Sequence, residues 1–285
     1  MSRIVRVYSP EIGYVDIPEK PTRIISLSPS ATETIFYLGA GDRVVGVDAW
    51  SYRPREALNI RRVGTYTTIN IELIKELNPD LIITTTGVQR PLIEKLREVT
   101  HSVYPVPVPT SIYEIFNNIL LIGGLIGEYR RAQELIQELL QRLISMIKNY
   151  SLQRKYRVYI EIDLGGPTIP GYFSHITSAI ALFNLENIFG DTKQSYLYGF
   201  KIGDYPALDL AEVARRDPDL IIYEGRLKKQ SREEILEIFE KRSWLNMRAV
   251  RENKFIIIPV DTLAHHGPSF LDNLEYVLKE LRNII

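Results

Sequence analysis

The chain has 285 residues, 45% of them hydrophobic and 25% charged, which suits one large globular domain or two of ordinary size. Lys plus Arg and Asp plus Glu number 35 each, so the charge balance gives no argument for nucleic acid or an anionic membrane surface as a partner. There is no cysteine, which excludes disulfides, thiolate catalysis, iron–sulfur clusters and cysteine–zinc sites together.

Residues 3–8 (RIVRVY) and 14–18 (YVDIP), separated by SPEIG, read as a β-hairpin. No apolar run of the roughly 7–15 residues of a secretory signal precedes them, and no window reaches the roughly 18 apolar residues of a membrane span. As written, the chain is expected in the cytoplasm, or outside it if a signal was trimmed away. A strand at 23–27 leads into a helix that Ser30 or Thr32 would cap and Gly39 would end. The strand at 43–47 opens into a loop carrying Trp50, Tyr52 and Arg53. The loop 63–68 precedes a helix at 71–77 and a strand at 79–86. Helix 90–99, strand 102–108 and helix 111–127 complete the first half. Strands alternating with helices imply βαβ units and a mainly parallel sheet covered on both faces.

Residues 128–150 contain neither Gly nor Pro. Ala132, Leu135, Ile136, Leu139, Leu140, Leu143, Ile144 and Ile147 recur at the three-and-four spacing of one helical face. Such a helix is on the order of 35 Å long and reads as a rigid spacer between two halves. A packed helix within a single domain is the plainer reading. A coiled coil is disfavoured, because the pattern lacks a sustained seam.

Beyond it the alternation resumes, with strands expected at 157–163, 218–225 and 254–261 and helices at 175–185, 232–245 and 270–285. Residues 71–87 and 210–225 echo each other: a helix, an Asn/Asp-Pro-Asp turn and a Leu-Ile-Ile strand in one register. Two such units flanking a long helix point to duplication, giving two similar α/β lobes.

Ligands of parallel α/β sheets sit outside the carboxyl ends of the strands. Loops expected there are aromatic and cationic: Ser30, Trp50, Tyr52, Arg53, Tyr66, Thr86 and Arg90 in the first half. The second half supplies Tyr172, His175, Tyr198, Arg226, His265 and His266. Rigid rings with a few polar handles suit a large, flat, partly apolar ligand. For any single tyrosine, packing of a loop onto its lobe explains the residue equally well; for Trp50 and Tyr66 together, ligand contact is favoured. His265 and His266 are adjacent and point to opposite sides of an extended chain, so at most one faces a cleft. No histidine spacing marks a preformed metal site, and hydrogen-bonded loop histidines are the leading reading. The GxSxG elbow, the GxxxxGK[ST] loop and the HExxH helix are all missing, so no catalytic residue is expected.

Residues 23–47 (RIISLSPSATETIFYLGAGDRVVGV) and 63–84 (VGTYTTINIELIKELNPDLIIT) carry a family resemblance. With LENIFGD at 185–191, the second PDLII and residues 243–259, nearly the whole chain resembles the substrate-binding proteins of ABC importers for vitamin B12 and iron–siderophores. The resemblance implies an α/β fold of two Rossmann-like lobes with mainly parallel sheets, 1–126 and 152–285, joined by one long rigid helix at 127–151. It implies a ligand held in the cleft with little opening, and it places Trp50 and Tyr66 where B12-binding members set aromatic residues against the corrin. Glu72 matches the glutamate that docks onto arginines of a permease. Seven residues before Pro218 stands Ala211, so the second docking glutamate is absent and Asp209 or Glu212 is the candidate stand-in. The expected function is non-enzymatic binding of a metal chelate by a monomer with no cofactor of its own. A corrinoid is ahead of a ferric siderophore, for which Arg53, Arg90 and Arg226 would supply charge. A cytoplasmic enzyme or chaperone of corrinoid salvage is the alternative from another class.

Overall fold

Two short antiparallel strands, β1 (Ile4–Ser9) and β2 (Gly13–Pro18), form the expected hairpin. The computed structural model describes residues 3–86, 89–163, 167–192, 210–225 and 230–285. They divide into two compact units, the first comprising 3–109 and 113–140 and the second the remainder.

In the first unit β3 (Ile24–Ser26), α1 (Pro29–Tyr37), β4 (Val44–Asp48), β5 (Arg62–Gly64), α2 (Ile71–Glu76), β6 (Leu81–Thr85), α3 (Arg90–Arg97) and β7 (Val103–Val106) follow in order. They match the expected alternation except at β5, a short strand that runs into the loop expected over 63–68 and follows β4 without an α-helix between them. The sheet order is β5-β4-β3-β6-β7, and every pairing is parallel. β3, β6 and β7 are buried along their whole length, which is why they read as unbroken apolar runs rather than alternating ones. Ser28 caps α1 by accepting the Ala31 N–H at 3.4 Å, in place of Ser30 or Thr32. Pro29 explains the shift. Its fixed φ and missing N–H suit the first turn of a helix, so the helix starts there.

α4 (Ile112–Leu125) and α5 (Tyr129–Tyr150) follow. The break between them is Gly127 at φ +74°, where a side chain would come within 2.6 Å of the Glu19 carbonyl. α5 spans 22 residues, about 33 Å, and the division between the units falls inside it, after Leu140.

The second unit contains β8 (Tyr156–Asp163), β9 (Pro167–Thr168), α6 (His175–Ala181), β10 (Leu185–Asn187), α7 (Leu210–Arg216), β11 (Leu220–Glu224), α8 (Arg232–Lys241), α9 (Arg248–Arg251), β12 (Phe255–Ile258) and α10 (Phe270–Arg282). Its parallel sheet runs β10-β8-β11-β12, with β9 antiparallel to β8. The helix expected over 175–185 stops at Ala181, and Leu185–Asn187 is a strand instead. Asn184 at φ +61° turns the chain out of the helix, a conformation that asparagine tolerates better than most residues. The core gathers Tyr159, Phe239, Trp244 and Phe255, with Trp244 edge-on to Tyr159 at 5.4 Å and donating its indole N–H to the Leu210 carbonyl. Against this core Arg242 meets Glu161 at 2.5 Å, almost out of contact with water.

The internal echo is structural. Asn78 and Asp217, at φ +43° and φ +38°, end α2 and α7 in the same left-handed turn. Asp80 then accepts the Arg23 N–H at 2.9 Å at the start of β3, and Asp219 accepts the Arg157 N–H at 2.8 Å in β8. Each carboxylate thus sets the register of the strand beside its own. Among the described residues no helix is long and apolar enough to cross a membrane.

Candidate functional site

At the carboxyl end of the first unit's sheet, β4 ends in Asp48, which is fully buried. Its Oδ1 accepts the Trp50 N–H at 2.7 Å and its Oδ2 the Ser51 hydroxyl at 2.5 Å. Arg62 from β5 donates to the carbonyls of Asp48 and Ser51 at 3.1 and 2.8 Å. The Thr32 hydroxyl of α1 lies 2.8 Å from both the Ser51 and the Ser26 hydroxyls. Burial lifts the Asp48 carboxyl above its ordinary range, while the Ser51 and Trp50 hydrogen bonds pull it down. The loop is therefore fixed from beneath, yet Trp50 stays 47% exposed. Such a ring can lie against a ligand without first ordering its backbone.

Tyr66, in the turn after β5, is half-buried, and its hydroxyl is 3.0 Å from that of Thr85. Burial raises its phenol above the ordinary value. Beneath it lies Gln89, fully buried, which accepts from the Thr84 hydroxyl and, at 2.8 Å, from the Thr85 N–H. It donates to the carbonyls of Leu27 at 2.7 Å and Tyr66 at 2.9 Å.

The other expected residues of this unit divide by exposure. Ser30 is buried with its hydroxyl 3.1 Å from that of Ser28, and buried Thr86 accepts the Val108 N–H at 3.1 Å. Both residues are buried, and the Thr86 hydroxyl ties down backbone. Tyr52 and Arg53 are half-buried, the guanidinium 5.1 Å from the ring centroid. Exposed Arg90 stands 3.6 Å from the Glu11 carboxylate.

In the second unit Tyr172 is 50% exposed and meets Phe173 edge-on at 4.8 Å. His175 is fully buried, its Nε2 2.9 Å from the Leu263 carbonyl. That bond and its contact with Phe270, at 5.1 Å between ring centroids, place it in the packing. His265 is buried with Nδ1 4.0 Å from Asp261. His266 stacks edge-on to His175 at 5.6 Å, and its buried Nδ1 has no hydrogen-bond partner. Burial, reinforced by His175 and His265 beside it, holds the His266 imidazole neutral, its pKa well below the usual value. Among the described residues no group of three potential ligands is arranged to hold a metal ion. Tyr198, Arg226 and Asp209 lie outside the described residues.

Glu224, the last residue of β11, is buried and accepts the N–H groups of Asp163 and Thr262, both at 2.9 Å. Burial pushes its carboxyl up to about 7, against those two hydrogen bonds and with help from Asp261 and Asp163. Gln89 and Glu224 stand at strand–helix junctions, where polar residues are routine, and little in the sequence marks them. One signal is available for Gln89. It occupies the position that caps α3, where Ser, Thr, Asp and Asn are preferred.

The two candidate docking helices differ. Glu72 on α2 is highly exposed and touches Lys75 at 2.9 Å. Glu212 on α7 is largely covered, bound at 2.6 Å by both Arg215 and Arg216, and those hydrogen bonds lower its pKa.

Comparison with known proteins follows the same outline. A family model described as periplasmic binding protein matches residues 24–262. The vitamin B12-binding protein of Vibrio cholerae is 29% identical over 268 residues, covering 93% of this chain and 91% of the relative. An uncharacterized ABC transporter substrate-binding lipoprotein of Bacillus subtilis is 25% identical over 276 residues, covering 94% and 82%. Among solved structures, the periplasmic vitamin B12 binding protein of Vibrio cholerae superposes with a TM-score of 0.73 at 27% identity, over 94% of this chain and 99% of that one. A periplasmic heme-binding protein from Roseiflexus superposes at 0.74 with 20% identity, over 92% and 98%, a likeness of fold.

Proposed function

We propose that this chain, which belongs to the periplasmic binding protein family, is the substrate-binding component of an ABC-type uptake system. It takes a flat metal chelate, a corrinoid ahead of a ferric siderophore, and returns it chemically unchanged. The observation that carries this reading is Trp50: a large aromatic residue left about half exposed on a loop whose backbone is tied down through Asp48, Ser51 and Arg62. Tyr66, from the neighbouring strand's exit, is the second ring. Rings held this way bury apolar ligand surface with little loss of conformational freedom. Support for a corrinoid comes from relatives that are vitamin B12-binding proteins along almost their whole length. The family works outside the cytoplasm, and we place this chain there, acting as a monomer that delivers to a permease through Glu72 on α2.

Calorimetric titration of purified protein with cyanocobalamin tests the reading. Binding is expected, with the ligand recovered at unchanged mass. Failure to bind cyanocobalamin or cobinamide ends the corrinoid assignment, and uptake of a ferric siderophore instead would favour the second ligand class. A product of altered mass would make the protein an enzyme.

A further inference from the structure

Gln89 occupies the cap position of α3, yet its side chain makes no capping hydrogen bond. The carboxamide turns instead under the carboxyl end of the sheet, where it is fully buried. A primary amide has two N–H donors and one oxygen with two lone pairs, and all four are used here. The donors serve the Leu27 carbonyl just past β3, at 2.7 Å, and the Tyr66 carbonyl past β5, at 2.9 Å. The oxygen accepts the Thr84 hydroxyl and, at 2.8 Å, the Thr85 N–H, both at the end of β6. Thr85 in turn holds the far end of the same tyrosine, its hydroxyl 3.0 Å from the phenol oxygen. Tyr66 is thus gripped at its carbonyl by Gln89 and at its hydroxyl by a residue that Gln89 also binds. Without the amide, the turn over 65–68 would keep its internal bonds to the Thr65 hydroxyl but lose the bond from Gln89 to the Tyr66 carbonyl.

We infer that Gln89 is the positioning residue for Tyr66, fixing that ring for ligand contact while touching no ligand itself. The inference rests on the proposed role of Tyr66 in binding a corrinoid. An ordinary cap would have used Ser, Thr, Asp or Asn and bonded the first turn of α3. A longer amide that leaves the cap unmade can instead reach three strand ends at once.

The test is a double-mutant cycle read with cyanocobalamin. Gln89→Glu keeps the size and both accepted bonds but, with a single O–H at most, cannot make both donations, and any carboxylate form is set against two carbonyl oxygens. It should raise Kd by about tenfold, and Gln89→Leu by at least as much. In a Tyr66→Ala background neither substitution should raise Kd further. Additive effects would overturn the inference, because a residue that merely stabilises the fold lowers affinity whether or not the ring is present. Amide hydrogen exchange supplies a readout independent of ligand. In Gln89→Glu, exchange over residues 63–68 should quicken selectively, and exchange that quickens evenly across the sheet counts against positioning. If wild-type protein fails to bind cyanocobalamin, the proposed function is lost while the exchange result still decides the role of Gln89. If neither Gln89 variant folds, Thr84→Val, which deletes a single bond to the carboxamide, carries the same cycle and the same exchange measurement.

Discussion

The carboxyl ends of the two sheets are built from different chemistry. In the first unit the buried support is hydroxyl and amide: Ser26, Ser28, Thr32, Ser51, Thr84, Thr85 and Gln89, with Asp48 as the carboxylate among them. In the second unit the corresponding edge gathers Glu224 near Asp163 and Asp261, and three packed histidines. Neutral hydrogen bonds hold their geometry over a wide pH range, whereas a buried carboxyl that titrates close to neutrality does not. The first edge holds Tyr66 through neutral groups and Trp50 through Asp48, a buried carboxyl whose pKa burial also raises, whereas the second edge gathers Glu224 beside two further carboxylates. Two units that share a register and a left-handed turn thus carry different chemistry on similar scaffolds.

The two tryptophans separate scaffold from platform most sharply. Trp244 is fully buried and meets Tyr159 and Phe239, whereas Trp50 is 47% exposed. Trp244→Ala should cost about 3–5 kcal/mol of stability, measured by denaturant unfolding. A small loss would mean that the second unit's core is not organised around that ring. Next in size is the pH response of Glu224. Its folded pKa of about 7 lies above an unfolded value near 4.5, so folding favours the protonated form. The contribution is complete below the unfolded pKa and is lost as pH rises through the folded one. The gap corresponds to at most roughly 3 kcal/mol. Wild-type stability should fall between about pH 4.5 and 7.5, and Glu224→Gln should flatten that slope. An unchanged slope in the variant would remove the contrast between the two edges.

Much of this was legible in the sequence, for local reasons. Alternating apolar runs and helical periodicities depend on neighbours a few residues apart, so the parallel sheets, α5 and the paired PDLII units could all be read directly. The turn at Asn78 and Asp217 follows from a left-handed residue that stops a helix just before proline. What could not be read depends on distant partners. His175 bonds a carbonyl 88 residues away, packed at the start of a helix rather than in a loop. Gln89 reaches Leu27 across 62 residues. The strand Leu185–Asn187 is only three residues long, too short for periodicity to distinguish from the apolar helix before it.

Two smaller effects probe the faces directly. Trp50→Ala should weaken cyanocobalamin binding by roughly 1–3 kcal/mol, the scale of a lost aromatic contact, while stability stays within about 0.5 kcal/mol. A large loss of stability would show that the loop depends on the ring rather than presenting it. The smallest effect is expected at the two helices that start the repeated units. The Glu72 carboxylate is 83% exposed beside Lys75, a geometry that contributes little because water solvates both charges. The Glu212 carboxylate is 29% exposed between Arg215 and Arg216, and Arg216 also binds Asp191 and the Ile188 carbonyl. Glu72→Gln should leave Tm and cyanocobalamin affinity unchanged, and Glu212→Gln should lower Tm by loosening that arginine. The reverse order would mean that α2, not α7, spends its carboxylate on the fold, which would count against the permease-docking role proposed for Glu72.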